Sequence, residues 1–267
     1  MRDLLSRIVV AVPLLVAVLA AAYFDAWWLF AVAAAGAILA LHELYSTIRP
    51  LRPLVLAGYA GAVAGLVGAE VGGLEWLLAG LLSTFLFAFG LYGIADTRQS
   101  GTVTIAATVL GAMWVGSGLG HLILLRDIGD DYLGRLSIFT VLLAVWAGDT
   151  VAYFVGRLVG RHKLAAVMSP GKTWEGFVAG FAASMLVAFF ALDQDRAQFL
   201  AIWEALVLGA VIAVAGTIGD LFESAVKRDM QVKDTGRLLG GHGGVLDRID
   251  SLLFAAVAGY YTIVALH

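Results

Sequence analysis

Apolar runs long enough to cross a bilayer recur along this whole chain, and they leave few folds open. A helical crossing takes about 20 apolar residues. In hydrocarbon every backbone N–H and C=O must be satisfied internally, so only helices or closed barrels can span. Nine runs qualify, near residues 8–24, 26–44, 54–70, 74–94, 102–125, 136–156, 177–192, 200–221 and 251–266. The expected fold class is therefore all-α, a polytopic integral membrane protein with about nine transmembrane helices. Composition agrees: 61% of residues are hydrophobic and 14% charged. Several runs are rich in Gly and Ala, which lets helices approach closely in lipid. Pro13 sits inside the first run, where it is placed to kink a helix. The basic start MRDLLSR and the apolar stretch after it have signal-peptide features, but with so many spans downstream a retained first helix is the simpler reading. The chain has no Cys, which excludes disulfides and thiolate metal sites.

Lys and Arg give the orientation. With a cytoplasmic N-terminus, the inner segments hold Arg2, Arg7, Arg49, Arg52, Arg98, Arg157, Arg161, Lys163 and Lys172, and then Lys227, Arg228, Lys233, Arg237 and Arg248. Those are fourteen of the seventeen cations, and only Arg126, Arg135 and Arg196 remain outside. The positive-inside rule thus predicts the N-terminus in and the C-terminus out. Trp27, Trp28, Trp76 and Trp203 fall near predicted ends and read as an aromatic belt. No internal repeat is visible, which argues against an inverted-repeat transporter.

Charge is concentrated in residues 224–250, SAVKRDMQVKDTGRLLGGHGGVLDRID, which hold five of the seventeen cations. Carboxylates flank the segment, Asp220 and Glu223 before it and Asp247 and Asp250 near its end. A basic loop beside the membrane is ordinarily a topology signal or a contact for anionic lipid. That reading explains the cations and leaves the acids unexplained. A metal and phosphate site explains both: carboxylates with water and substrate phosphates hold Mg²⁺, while cations and close backbone amides neutralise phosphoryl oxygens.

Asp220, Glu223, Ser224 and Lys227 recur at i, i+3, i+4 and i+7, so a continuing helix turns all four the same way. Asp247 and Asp250 share a face at the start of the last helix, where the helix dipole is an alternative reason for acids. For His242, a glycine-rich turn histidine and a catalytic one are equally open. Asp149 lies inside the sixth run, with Tyr153 and Gly156 on its face, and an ionisable group there is functional by default; a structural hydrogen bond is the alternative. SPGKTWEG, residues 169–176, offers Ser169, Lys172 and Thr173 to phosphate, and its Ser-Pro start suits a turn before a helix. It lacks the P-loop spacing.

Ser224-Ala-Val-Lys227-Arg228, Lys233-Asp234-Thr-Gly236, Gly240-Gly-His242-Gly243-Gly244 and Asp247-Arg248-Ile-Asp250 closely resemble the signature of the phosphatidate cytidylyltransferases, the CDP-diacylglycerol synthases. Asp149, Tyr153, Gly156, Gly160, Ser169, Pro170, Lys172, Thr173 and Glu175-Gly176 are similar to that family's second region, with Gly171 a departure where a second lysine is common. The first 140 residues carry no such motif.

The resemblance implies an enzyme joining CTP to phosphatidic acid, with CDP-diacylglycerol and pyrophosphate as products. It also implies dependence on Mg²⁺, K⁺ as a second ion, and a homodimer; no nucleic-acid partner is expected. Residues 1–135 would embed the protein and offer dimer contacts, and residues 136–267 would carry a site facing the cytoplasm of a bacterial plasma membrane. Asp220 and Asp247 are the expected metal ligands. Ser169, Lys172, Thr173, Ser224, Lys227, Arg228, Lys233, Gly243, Gly244 and Arg248 are expected to bind substrate. Asp149, Lys172, Glu223, Lys227, Arg228, Asp234, His242 and Asp250 are the expected catalytic residues. Alternatives are another CTP-using lipid enzyme, such as a polyprenol kinase, and an ion-coupled transporter.

Overall fold

The computed structural model describes residue 13 and residues 15–24, 26–94, 100–193, 200–236 and 243–266. The start of the first expected span, the loop cations Arg2, Arg7, Arg98, Arg196 and Arg237, and His242 lie outside the described residues. The chain is built of helices: α1 (Leu15–Phe24), α2 (Ala26–Thr47), α3 (Val55–Ile94), α4 (Gly101–Arg126), α5 (Asp131–Val159), α6 (Trp174–Asp193), α7 (Ile202–Asp229) and α8 (Leu246–Leu266). Among the described residues, α2 to α8 are each long and apolar enough to cross a membrane. These helices make the protein an integral membrane protein, because long apolar segments can satisfy their backbone in lipid only within a helix.

Two compact units divide the chain. The first takes the chain up to Leu124 together with Met230–Ile249. Here the expected spans 54–70 and 74–94 form the single 40-residue α3, broken at Gly73, whose φ of 73° and ψ of −154° are not helical. Glycine is suited to that backbone because it has no Cβ to clash. The two arms then fold against each other: a Cβ added to Gly65 would fall 2.8 Å from Leu81, and one added to Gly80 would fall 2.4 Å from the Ala64 backbone. Small residues facing one another let the arms touch. Tyr45 of α2 seals the unit, its hydroxyl donating to the Thr108 carbonyl of α4 at 2.7 Å.

The second unit comprises Leu125–Asp229 and Asp250–His267. Asp130 caps α5, accepting from the Leu133 amide at 2.8 Å, and Asp131 pairs with Arg126 at 2.5 Å. Helices α5 and α6 meet through glycines, since a Cβ on Gly180 would lie 2.6 Å from the Gly148 carbonyl, and Ser184 donates to the Ala144 carbonyl at 2.8 Å. Between them, where the sequence suggests only a turn, lies an antiparallel hairpin of β1 (Lys163–Ala165) and β2 (Ser169–Thr173). Periodicity could not reveal so short a pair. Glu175 ties the hairpin base to α6 by accepting from the amides of Arg161 and His162 and from His162 Nδ1 at 2.6 Å.

Candidate active site

In the second unit α7 runs unbroken to Asp229, so Asp220, Glu223, Ser224 and Lys227 do share a face. Asp220 receives Lys172 from β2, with Nζ to Oδ2 at 2.6 Å. Ser224 donates to the other oxygen of Asp220 at a long 3.4 Å. The hairpin thus delivers the Lys172 ammonium to the acid face of α7. Asp149 of α5 and Asp250 of α8 lie close enough to Asp220 for the three charges to interact. Asp149 also meets Ser251 and lines a cavity of about 30 Å³ shared with Gly148, Ser184 and Thr217. Asp250 contacts Glu223, and Lys227 closes on Glu223 at 2.5 Å.

Glu223 is 1% exposed, and two carboxyls in contact need a proton or a cation between them. Lys227 supplies positive charge one helical turn away. Removing it leaves more negative charge than the pocket can hold. Lys227→Met is expected to destabilise the protein by about 3 kcal/mol, the scale for breaking a buried pair. Adding Glu223→Gln should restore most of that loss; thermal unfolding in detergent checks this, and an unchanged midpoint for Lys227→Met would refute it.

Arg228 is exposed and its Nε donates to the Met168 carbonyl at 3.3 Å, so it stands over the tip of the β hairpin. Ser169 opens β2 opposite Ala165. Thr173 is buried, and its Oγ1 accepts from the Gly176 amide at 3.2 Å, so this hydroxyl caps α6.

In the first unit Asp247, in the first turn of α8, gathers described residues from either side of the glycine-rich segment. Its Oδ2 accepts from the amides of Gly244 at 2.7 Å and Thr235 at 3.1 Å. Asp247 and Asp250, three residues apart, therefore have different partners. Gly243 takes a φ of +78°, and a Cβ there would lie 2.7 Å from Asp247 Oδ2. Lys233, Asp234 and Arg248 are exposed around this loop.

Sequence reasoning missed Glu43 and Thr47 of α2. Glu43, 3% exposed, accepts from the Leu246 amide at 2.9 Å, and Thr47 donates to the Thr235 carbonyl at 3.2 Å. A signal was there: Glu43 is an acid inside an apolar span, and such groups are functional by default. Ser251 was missed as well, being an ordinary residue at a helix start, and Glu175, matched in the family's second region, was given no role of its own.

In the second unit, carboxylates from three helices and a lysine brought to them by a hairpin form a site suited to phosphate compounds in an integral membrane protein. The chain belongs to the cytidylyltransferase family, whose sequence model matches residues 5–266. It is similar to a phosphatidate cytidylyltransferase of Mycobacterium bovis, 32% identical over 99% of this chain and 90% of that protein. One from Staphylococcus epidermidis is 35% identical over 82% of this chain and 83% of its own length. One from Brucella abortus reaches 42% over 56% of this chain and 54% of its own.

Proposed function

We propose that this protein is a phosphatidate cytidylyltransferase, transferring CMP from CTP to phosphatidic acid in a bacterial plasma membrane. The observation that carries this reading is the meeting of Lys172 with Asp220 beside Asp149 and Asp250, in a chain of the cytidylyltransferase family. An oxygen of the phosphatidate monoester attacks the α-phosphorus of CTP. A new P–O bond forms, the bond to the β-phosphate breaks, and pyrophosphate leaves with its electron pair. The monoester's second pKa is near 6, so it is already largely dianionic at neutral pH and no strong general base is needed.

Two polyanions must come together, so neutralising charge and in-line positioning carry the catalysis. Lys172, Lys227, Arg228, Lys233 and Arg248 supply the cations, Ser224 and the amide of Gly243 the neutral donors, and His242 a phosphate contact; the Gly244 amide is already given to Asp247. The donor set suits Mg²⁺, which typically takes one or two carboxylates and fills its shell with water and phosphate, and the Asp220 carboxylate is one such oxygen donor, 32% exposed. Asp220 is the ligand this arrangement favours in the second unit, with Asp149 and Asp250 beside it; Asp247, in the first turn of α8, is the ligand we assign in the first unit. When bound, Mg²⁺ would lower the charge of the phosphate oxygens and favour the leaving group. A K⁺ ion as a second cation and a homodimer belong to the same reading.

The Lys and Arg distribution supports a cytoplasmic N-terminus and a site on the cytoplasmic side, where CTP is found. Lipid would then reach the site from the inner leaflet. With α-³²P-CTP and phosphatidic acid, label is expected in a chloroform-soluble product, abolished by EDTA and restored by Mg²⁺. In sealed vesicles it should appear only when CTP has access to the cytoplasmic face. Label entering lipid from γ-³²P-CTP instead would mark a kinase and sink the proposal.

A further inference from the structure

Glu43 stands out as a buried acid that the reaction does not use directly. Its Oε2 accepts from the amide of Leu246, the first residue of α8. A Cβ on Gly244 would lie 2.3 Å from that oxygen, and one on Gly236 would lie 2.4 Å from Oε1. Among the described residues Oε1 has no hydrogen-bond partner. One turn further along the same face of α2, Thr47 donates to the Thr235 carbonyl.

We propose that Glu43, aided by Thr47, is a positioning residue for the transfer reaction: from one face of α2 it holds both ends of the segment 235–246 and so fixes where Lys233, Asp234, Asp247 and Arg248 stand. The first amides of a helix lack intrahelical acceptors, and a carboxylate at that positive end is electrostatically favoured. Glu43 therefore fixes the entry into α8, the turn that carries Asp247. Gly236 and Gly244 leave no side chain between their own backbone and this carboxylate, so both are seated on the acid itself. An acid placed at such cost inside an apolar helix would not be needed merely to join two helices, which apolar packing does.

The activity half of the test rests on the phosphatidate cytidylyltransferase reading; the exchange half does not. Full-length protein in detergent is compared as wild type, Glu43→Ala, Glu43→Gln and Thr47→Val, by kcat and KM for CMP transfer and by hydrogen exchange over residues 235–246. Glu43→Ala is expected to lower kcat about 100-fold, the scale of a misplaced site, and to speed exchange in that segment while the helices stay protected. Glu43→Gln keeps an acceptor for Leu246 and should recover at least about tenfold of the loss. Glu43→Ala within threefold of wild type in kcat and KM, or Glu43→Gln as impaired as Glu43→Ala, would overturn the proposal. If Glu43→Ala does not fold, Thr47→Val decides: about fivefold lower kcat with faster exchange supports it, and wild-type values in both overturn it. If wild-type protein transfers no CMP, the functional reading fails separately, and unchanged exchange in Glu43→Ala, or in Thr47→Val where Glu43→Ala does not fold, then overturns this one.

Discussion

Asp220→Asn is expected to lower the rate of CMP transfer by about 10³-fold while leaving the protein folded, the scale seen when one preorganised electrostatic group is lost. Asparagine matches aspartate in shape, so the face of α7 keeps its packing and Ser224 keeps an oxygen to bond. The charge is what disappears. Lys172, 2.6 Å away and 22% exposed, loses its counter-ion and is free to swing toward solvent. A neutral amide is also a poor ligand for a hard divalent cation, so the substitution removes a lysine anchor and a metal ligand together. Lys172→Met tests the first loss alone, since it leaves the carboxylate in place, and should fall between wild type and Asp220→Asn. The measurement is the initial rate of ³²P transfer into lipid at saturating Mg²⁺, with thermal unfolding beside it. A rate within threefold of wild type for Asp220→Asn would remove Asp220 from the site.

Gly244→Ala should cost about 100-fold in rate, the effect of displacing a binding loop by about 1 Å. The added methyl would sit 2.3 Å from Glu43 Oε2 and 2.6 Å from its Cδ, well inside contact distance. Neither side can yield easily: Glu43 is buried and bonded to the Leu246 amide, and the Gly244 amide is bonded to Asp247 at 2.7 Å. The loop must lift, taking Asp247 with it. Gly171→Ala is the matched control, because nothing lies within 4 Å of a Cβ at that exposed position; it should keep wild-type activity. Equal activity in the two variants would show that the glycine loop tolerates a side chain and is not seated on Glu43.

The two substitutions differ in how far the sequence alone could foresee them. Asp220 was legible because helical spacing is local: four polar residues at i, i+3, i+4 and i+7 must share a face wherever the helix runs on, and α7 does run on. The role of Lys172 was only partly legible. It stands in a segment whose cations suit phosphate, but that it closes on Asp220 depends on the hairpin of β1 and β2, whose eight strand residues leave no periodic trace. The Gly244 contact was not legible at all.

What the sequence determined by itself was the helical membrane class and the stretch proposed to carry the chemistry. Lipid allows long apolar runs only one local solution, and it confines charge to the few places where a cation, an acid or water can answer it. What only the tertiary structure decided was partnership. Glu43 and Leu246 are 203 residues apart in the chain, and no local rule links an acid in α2 to the first amide of α8. Their meeting follows from how the helices of one unit pack around small residues, which is a property of summed contacts rather than of any segment's pattern.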